Sequence, residues 1–162
     1  MKIGIISDTH NSRNVYTAVD VFNEQGVEYV FHAGDIISVD TALAFSQLEG
    51  AKFVAVYGNC VYDKGELKSA IESFGGKIDE VCEMELEGKR IFMKHIPDAL
   101  PSVIESGRND VVIYGHTHKR DVRRTGDTLV VNPGTARTWS MSKPCVVIVD
   151  LQDMDFEVVE LK

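Results

Sequence analysis

Three times within the first sixty residues, a short apolar run breaks off into a loop of metal-ligand residue types, and this repeat leaves few folds open to the chain. Lys2 to Ser7 leads into Asp8, Thr9, His10 and Asn11; Tyr29 to Ala33 into Gly34 and Asp35; Lys52 to Tyr57 into Gly58 and Asn59. Apolar runs closed by turn formers read as buried strands. Between them, Asn14 to Gln25 carries Val15, Ala18, Val19 and Phe22 on one helical face and stops at Gly26. Thr41 to Leu48 is a second amphipathic segment, closed by Gly50. Strand, helix and strand in repetition predict a parallel sheet with right-handed crossovers, its carboxyl ends opening on one crevice. An α/β fold is expected, with Asp8, His10, Asp35 and Asn59 along one edge.

Gly65 to Phe74 predicts a third helix, after which the pattern changes. Val81 to Leu86 and Lys89 to Lys94 flank a Glu87-Gly88 turn and predict a hairpin with His95 at its end. Pro97 to Ser106 predicts a short helix leading into the strand Val111 to Tyr114, which Gly115-His116-Thr117-His118 follows. Side chains at i and i+2 of an extended segment share a side, so His116 and His118 could enter one crevice. Strands are expected again at Asp121 to Thr125, Thr128 to Val131, Lys143 to Leu151 and Asp155 to Leu161. With no repeat, low-complexity stretch or Gly/Ser linker, residues 1–162 are expected to form a single domain.

Charge narrows the partners. A formal net charge of −8 opposes general capture of nucleic acid, whose non-specific affinity comes from Lys and Arg displacing counterions. No segment looks apolar enough to span a bilayer, and Asp8 interrupts the N-terminal run too early for a secretory signal. Cys60, Cys82 and Cys145 are odd in number and scattered, which predicts reduced thiols and a cytoplasmic location.

Seven residues therefore stand at predicted strand ends: Asp8, His10, Asp35, Asn59, His95, His116 and His118. Each alone has an ordinary reading: the aspartates as helix caps, Asn59 as a turn residue, His95 as a core histidine. Together, carboxylate and amide oxygens mixed with imidazoles and no thiolate suit Mn, Fe, Co, Ni or Zn. Seven groups are too many for one ion and suit two ions ~3.5–4 Å apart sharing a bridging carboxylate, an arrangement used in phosphoryl displacement.

Asp8-Thr9-His10, Gly34-Asp35, Gly58-Asn59, His95 and Gly115-His116-Thr117-His118 resemble the five ordered blocks of the calcineurin-like metallophosphoesterases. The chain length and Asn132-Pro133-Gly134-Thr135 resemble their small, compact phosphodiesterase branch. The resemblance implies a four-layer α-β-β-α sandwich of two mixed β-sheets flanked by helices. It also implies two divalent ions, Mn²⁺ or Ni²⁺, with Fe²⁺, Co²⁺ and Zn²⁺ compatible. Asp8, His10 and His118 would hold one ion, and Asn59, His95 and His116 the other, with Asp35 bridging and Asp35, Asn59 and His95 at the catalytic centre. The implied activity is hydrolysis of a small phosphodiester by in-line attack of a hydroxide bridging the ions.

Two alternatives stay open on the same fold: a non-catalytic protein-binding scaffold like a retromer subunit, in which ligand positions are eroded, and a phosphomonoesterase. Cys60 stands where many members carry a proton-donating histidine, Val61 replaces an acidic residue, and Ile96-Pro97 follow His95 where glycine is usual. Arg137 could contact a substrate phosphate with its planar fork or be a plain surface arginine, and Cys60 could face the leaving group or simply fill space. His32 reads as structural. Trp139 and Met141 mark either an interaction surface or core packing. No membrane partner is expected, and further copies of the chain remain open as partners.

Overall fold

The computed structural model describes residues 1–138 and 143–162. The interaction surface considered at Trp139 and Met141 lies outside the described residues. Strands β1 (Lys2–Ile6), β2 (Tyr29–His32), β3 (Lys52–Val56) and β4 (Lys77–Asp79) pair in parallel. Strands β10 (Cys145–Asp150) and β11 (Phe156–Glu160) add antiparallel at the β1 side, giving the order β11-β10-β1-β2-β3-β4. The second sheet runs β5-β6-β7-β9-β8, from β5 (Val81–Leu86), β6 (Lys89–Lys94), β7 (Val111–Ile113), β9 (Thr128–Asn132) and β8 (Asp121–Thr125). There β6, β7 and β9 are parallel and both edge strands antiparallel.

Alternation sorts the side chains into three apolar layers. Ile3, Ile5, Phe31, Val54 and Val56 from the first sheet meet Ile91, Met93, Val111, Ile113, Leu129 and Val131 from the second. The intervening positions Ile6, Val30, Phe53 and Ala55 face helices α1 (Asn14–Gln25), α2 (Val39–Ala44) and α3 (Lys64–Ser73), meeting Val15, Val19, Phe22, Ala42, Leu67 and Ile71. On the far side, Phe92, Val112 and Val130 take Leu100, Val103 and Ile104 of α4 (Leu100–Glu105). These layers make the four-layer sandwich that the family resemblance implied, and burial on both faces is why its strands read as unbroken apolar runs.

Local signals set the boundaries. Helix α1 ends where Gly26 takes φ 63°, a left-handed conformation that costs glycine little. Helix α2 begins earlier than its apolar pattern suggested, because the Ser38 hydroxyl accepts from the Thr41 N–H at 3.2 Å. The Asp63 carboxylate caps α3 by accepting from the Glu66 N–H at 2.9 Å. The segment expected as one helix from Pro97 splits into a 3₁₀ turn, Pro97–Ala99, followed by α4. Strand β4 escaped the sequence reading: with three residues and only Ile78 buried, it is too short to show a period.

Candidate metal centre

The carboxyl ends of β1, β2 and β3 from one sheet and β6 and β7 from the other open on the same crevice, so the candidates arrive on five strands. Asp8 and His10 follow β1, Asp35 follows β2, Asn59 follows β3, His95 follows β6, and His116 and His118 follow β7. Asp8, His10, Asp35 and His118 each bring a ligand atom within 4.8 Å of the others. Beside them, the Asn59 side-chain oxygen lies 3.0 Å from His95 Nε2 and 2.9 Å from His116 Nδ1. Asp35 faces both groups: Oδ2 is 3.6 Å from His10 Nε2, and Oδ1 is 3.4 Å from His95 Nε2.

The backbone is bent to achieve this. Among the described residues, seven non-glycine residues have positive φ, and five of them are candidates: Asp8 (51°), His10 (46°), Asp35 (60°), His116 (68°) and His118 (56°). Sparsely populated conformations of this kind cost roughly 1–3 kcal/mol each and persist only where surrounding contacts impose them. Those contacts are present. The Asp8 N–H donates to the Gly34 carbonyl at 3.0 Å, the His10 N–H to the Asp35 carbonyl at 2.9 Å and the Gly115 N–H to the His95 carbonyl at 3.1 Å. Close packing explains two glycines: a Cβ at Gly58 would overlap the Asp35 carboxylate, and one at Gly34 the His95 ring.

A second ring of residues, mostly missed by the sequence reading, orients the first. The His95 ring donates from Nδ1 to the Ala33 carbonyl at 2.7 Å, which turns the lone pair of Nε2 toward Asn59 and Asp35. Asp8 Oδ2 accepts from the Ser7 hydroxyl and the His116 N–H, leaving Oδ1 directed into the crevice. Asn132 is fully buried and donates to both the Gly115 carbonyl and the Thr117 hydroxyl at 3.0 Å, while the Thr135 hydroxyl donates to the Asp8 carbonyl at 2.8 Å. Their visible signal was the Asn-Pro-Gly-Thr turn after a buried strand.

His32, read as structural, is buried between Thr9 and the Gly34 N–H, and burial holds its pKa down to about 3. Ile96 and Pro97 do not displace His95, which remains buried and in reach of Asn59. Arg137 is half-buried in a cavity that His10 also lines. Cys60 is half-buried; its N–H donates to Asp35 Oδ1 at 2.9 Å and its sulfur accepts from the Asn59 amide at 3.4 Å. Burial and the neighbouring Asp35 charge push the thiol's pKa up, so it stays protonated at neutral pH.

The donor set fits a divalent cation. Asp8 Oδ1 and His10 Nε2 are buried without a hydrogen-bond donor of their own, and each faces one neighbour across the crevice, His118 Nε2 at 3.0 Å and Asp35 Oδ2 at 3.6 Å. An open carboxylate oxygen and an open imidazole nitrogen buried together are costly unless a cation takes both. Burial pushes the Asp8 carboxyl up, against the Ser7 hydrogen bond and the His95 and His118 charges. Burial also pushes His10 down despite Asp35, favouring the neutral imidazole that ligates metals.

Residues 1–154 match the model of the calcineurin-like phosphoesterase superfamily domain. Phosphodiesterase MJ0936 of Methanocaldococcus jannaschii is 35% identical over 167 residues, covering 100% of both chains. A solved archaeal phosphodiesterase superposes with a TM-score of 0.93 at 35% identity, over 99% of this chain and 100% of the other. Vps29 of Entamoeba histolytica, solved with zinc, superposes with a TM-score of 0.71 over 100% of both chains at 18% identity, a likeness of fold alone. With the domain model matched across nearly its whole length and a relative aligned end to end, the chain belongs to the calcineurin-like phosphoesterase superfamily.

Proposed function

We propose that the chain is a metal-dependent phosphodiesterase of one domain, acting in the cytoplasm on small phosphodiesters with two divalent ions, Mn²⁺ or Ni²⁺. The carrying observation is the pair of donor groups on either side of Asp35, whose two oxygens face one group each. Asp8, His10 and His118 would hold one ion and Asn59, His95 and His116 the other. When bound, the ions supply Lewis acidity toward phosphoryl oxygens and lower the pKa of water, so that hydroxide forms near neutral pH.

The chain's own residues prepare that chemistry. Asp35 and Asp8 offset cation charge, and the Cys60 N–H holds one Asp35 oxygen in place. The hydrogen bond to Ala33 fixes the His95 tautomer, and the Cys60 sulfur engages the Asn59 amide nitrogen so that Asn59 Oδ1 faces the two imidazoles. A protonated thiol is a poor substitute for imidazole as a proton donor to the leaving oxygen. Activated aryl diesters should therefore be cleaved much faster than alkyl esters.

The test is hydrolysis of bis(p-nitrophenyl) phosphate and p-nitrophenyl phosphate after chelation and return of Mn²⁺ or Ni²⁺. Metal-dependent cleavage of the diester, with slow cleavage of the monoester, is expected. Metal binding without hydrolysis of either would favour the scaffold, and preference for the monoester a phosphomonoesterase.

A further inference from the structure

A cavity of about 390 Å³ opens beside His10. Its walls include Asn11, Ser12, Arg13, Ile37 and Arg137, and among the described residues no carboxylate lines it. Neither guanidinium forms an ion pair among the described residues, whereas Arg90 and Arg123 pair with Asp110 and Asp121. In a chain of net charge −8, two uncompensated arginines in one cavity are a local exception to the repulsion of anions.

The two walls are fastened together. The Ser12 hydroxyl donates to the Ala136 carbonyl at 3.1 Å, and the Asn14 amide donates to the same carbonyl at 2.8 Å and to the Thr138 hydroxyl at 3.2 Å. These bonds brace the turn carrying Arg13 against the segment carrying Arg137, so the two backbone segments that bear the cations are held together before any ligand arrives. Half-buried Arg137 shares this cavity with His10 of the centre, and Arg13, on the turn after β1, lines it from an exposed position.

We propose that this cavity binds a second phosphate of the substrate: Arg137 lies next to the scissile diester and Arg13 receives a further phosphate on the substrate's arm. Each planar guanidinium can make paired, charge-assisted hydrogen bonds to phosphate oxygens. The inference rests on the phosphodiesterase reading and adds a substrate class to it, small diesters that carry a second phosphate.

The experiment compares the p-nitrophenyl ester of thymidine 5′-phosphate with the same compound bearing a 3′-phosphate, using the Mn²⁺-loaded chain and Arg13→Gln. Charge-assisted bonds of ordinary strength predict kcat/KM about tenfold or more higher for the 3′-phosphorylated ester, a ratio that falls toward one in Arg13→Gln. Calorimetry with thymidine 3′,5′-bisphosphate and thymidine 5′-phosphate should show the same preference in binding and the same loss in the variant. A wild-type chain that cleaves bis(p-nitrophenyl) phosphate yet treats the two thymidine esters alike would overturn the inference, as would a preference that survives Arg13→Gln. A chain inert toward every diester would overturn the phosphodiesterase reading instead, and the calorimetric preference would then decide whether the phosphate site exists.

Discussion

Asp35 is the residue on which both halves of the centre depend, since its two oxygens face different imidazoles and it is nearly inaccessible to water. Replacing it by asparagine removes the negative charge while keeping the shape. Asp35→Asn should weaken both ions by more than the ~10–100-fold typical of losing a partner one bond further out, and should leave the fold intact. Metal analysis after dialysis checks this; retention of both ions at wild-type affinity would remove Asp35 from the bridging role. His32 carries a prediction of another kind. Its folded pKa of about 3 lies below the ordinary 6.5, so the folded chain binds fewer protons than the unfolded one between those values. The stability it allows is complete above pH 6.5 and is lost as pH falls toward 3. Between pH 6.5 and 5 the wild type should lose about 2 kcal/mol more than His32→Gln, at ~1.4 kcal/mol per pH unit. Urea denaturation at the two pH values measures the difference, and parallel losses would mean that His32 titrates normally.

At the scale of elements, the end of β9 supports the loop after β7. Asn132 is buried, and its amide satisfies the Gly115 carbonyl and the Thr117 hydroxyl while its own oxygen accepts from the Gly134 N–H at 2.8 Å. Asn132→Ala leaves the buried Gly134 N–H without a partner, at about 1–3 kcal/mol, and takes one donor from the Gly115 carbonyl and the Thr117 hydroxyl, which keep the Thr117 and Lys119 N–H groups. Both His116 and His118 hold left-handed conformations that this bracing helps to impose. The variant should melt earlier and also bind metal about tenfold or more weakly. A lowered melting temperature with unchanged metal titration would confine Asn132 to a packing role.

Across the whole molecule, the three apolar layers lie below the crevice and include none of the seven candidate ligands. Chelation should therefore leave a folded chain, and return of Mn²⁺ should raise its melting temperature. At a free concentration 100 times Kd, one site adds about 2.7 kcal/mol. Scanning calorimetry with and without chelator tests this; unfolding on chelation would mean that the ions hold the sandwich together. By itself the sequence determined the α/β class, nearly every strand and helix, and the seven candidates, because strands buried on two faces read as short unbroken apolar runs and helical amphipathicity as a period of 3.6 residues. It left Arg137 and Cys60 with two readings each, and it did not show the roles of Ser7, Ala33 and Asn132. Only the tertiary structure shows what these residues touch, along with the left-handed backbone at five candidates and the direction of each Asp35 oxygen. The physical reason is that such features are contacts between β1, β2, β7 and β9, elements far apart in the chain, and a contact between distant segments leaves no period in either.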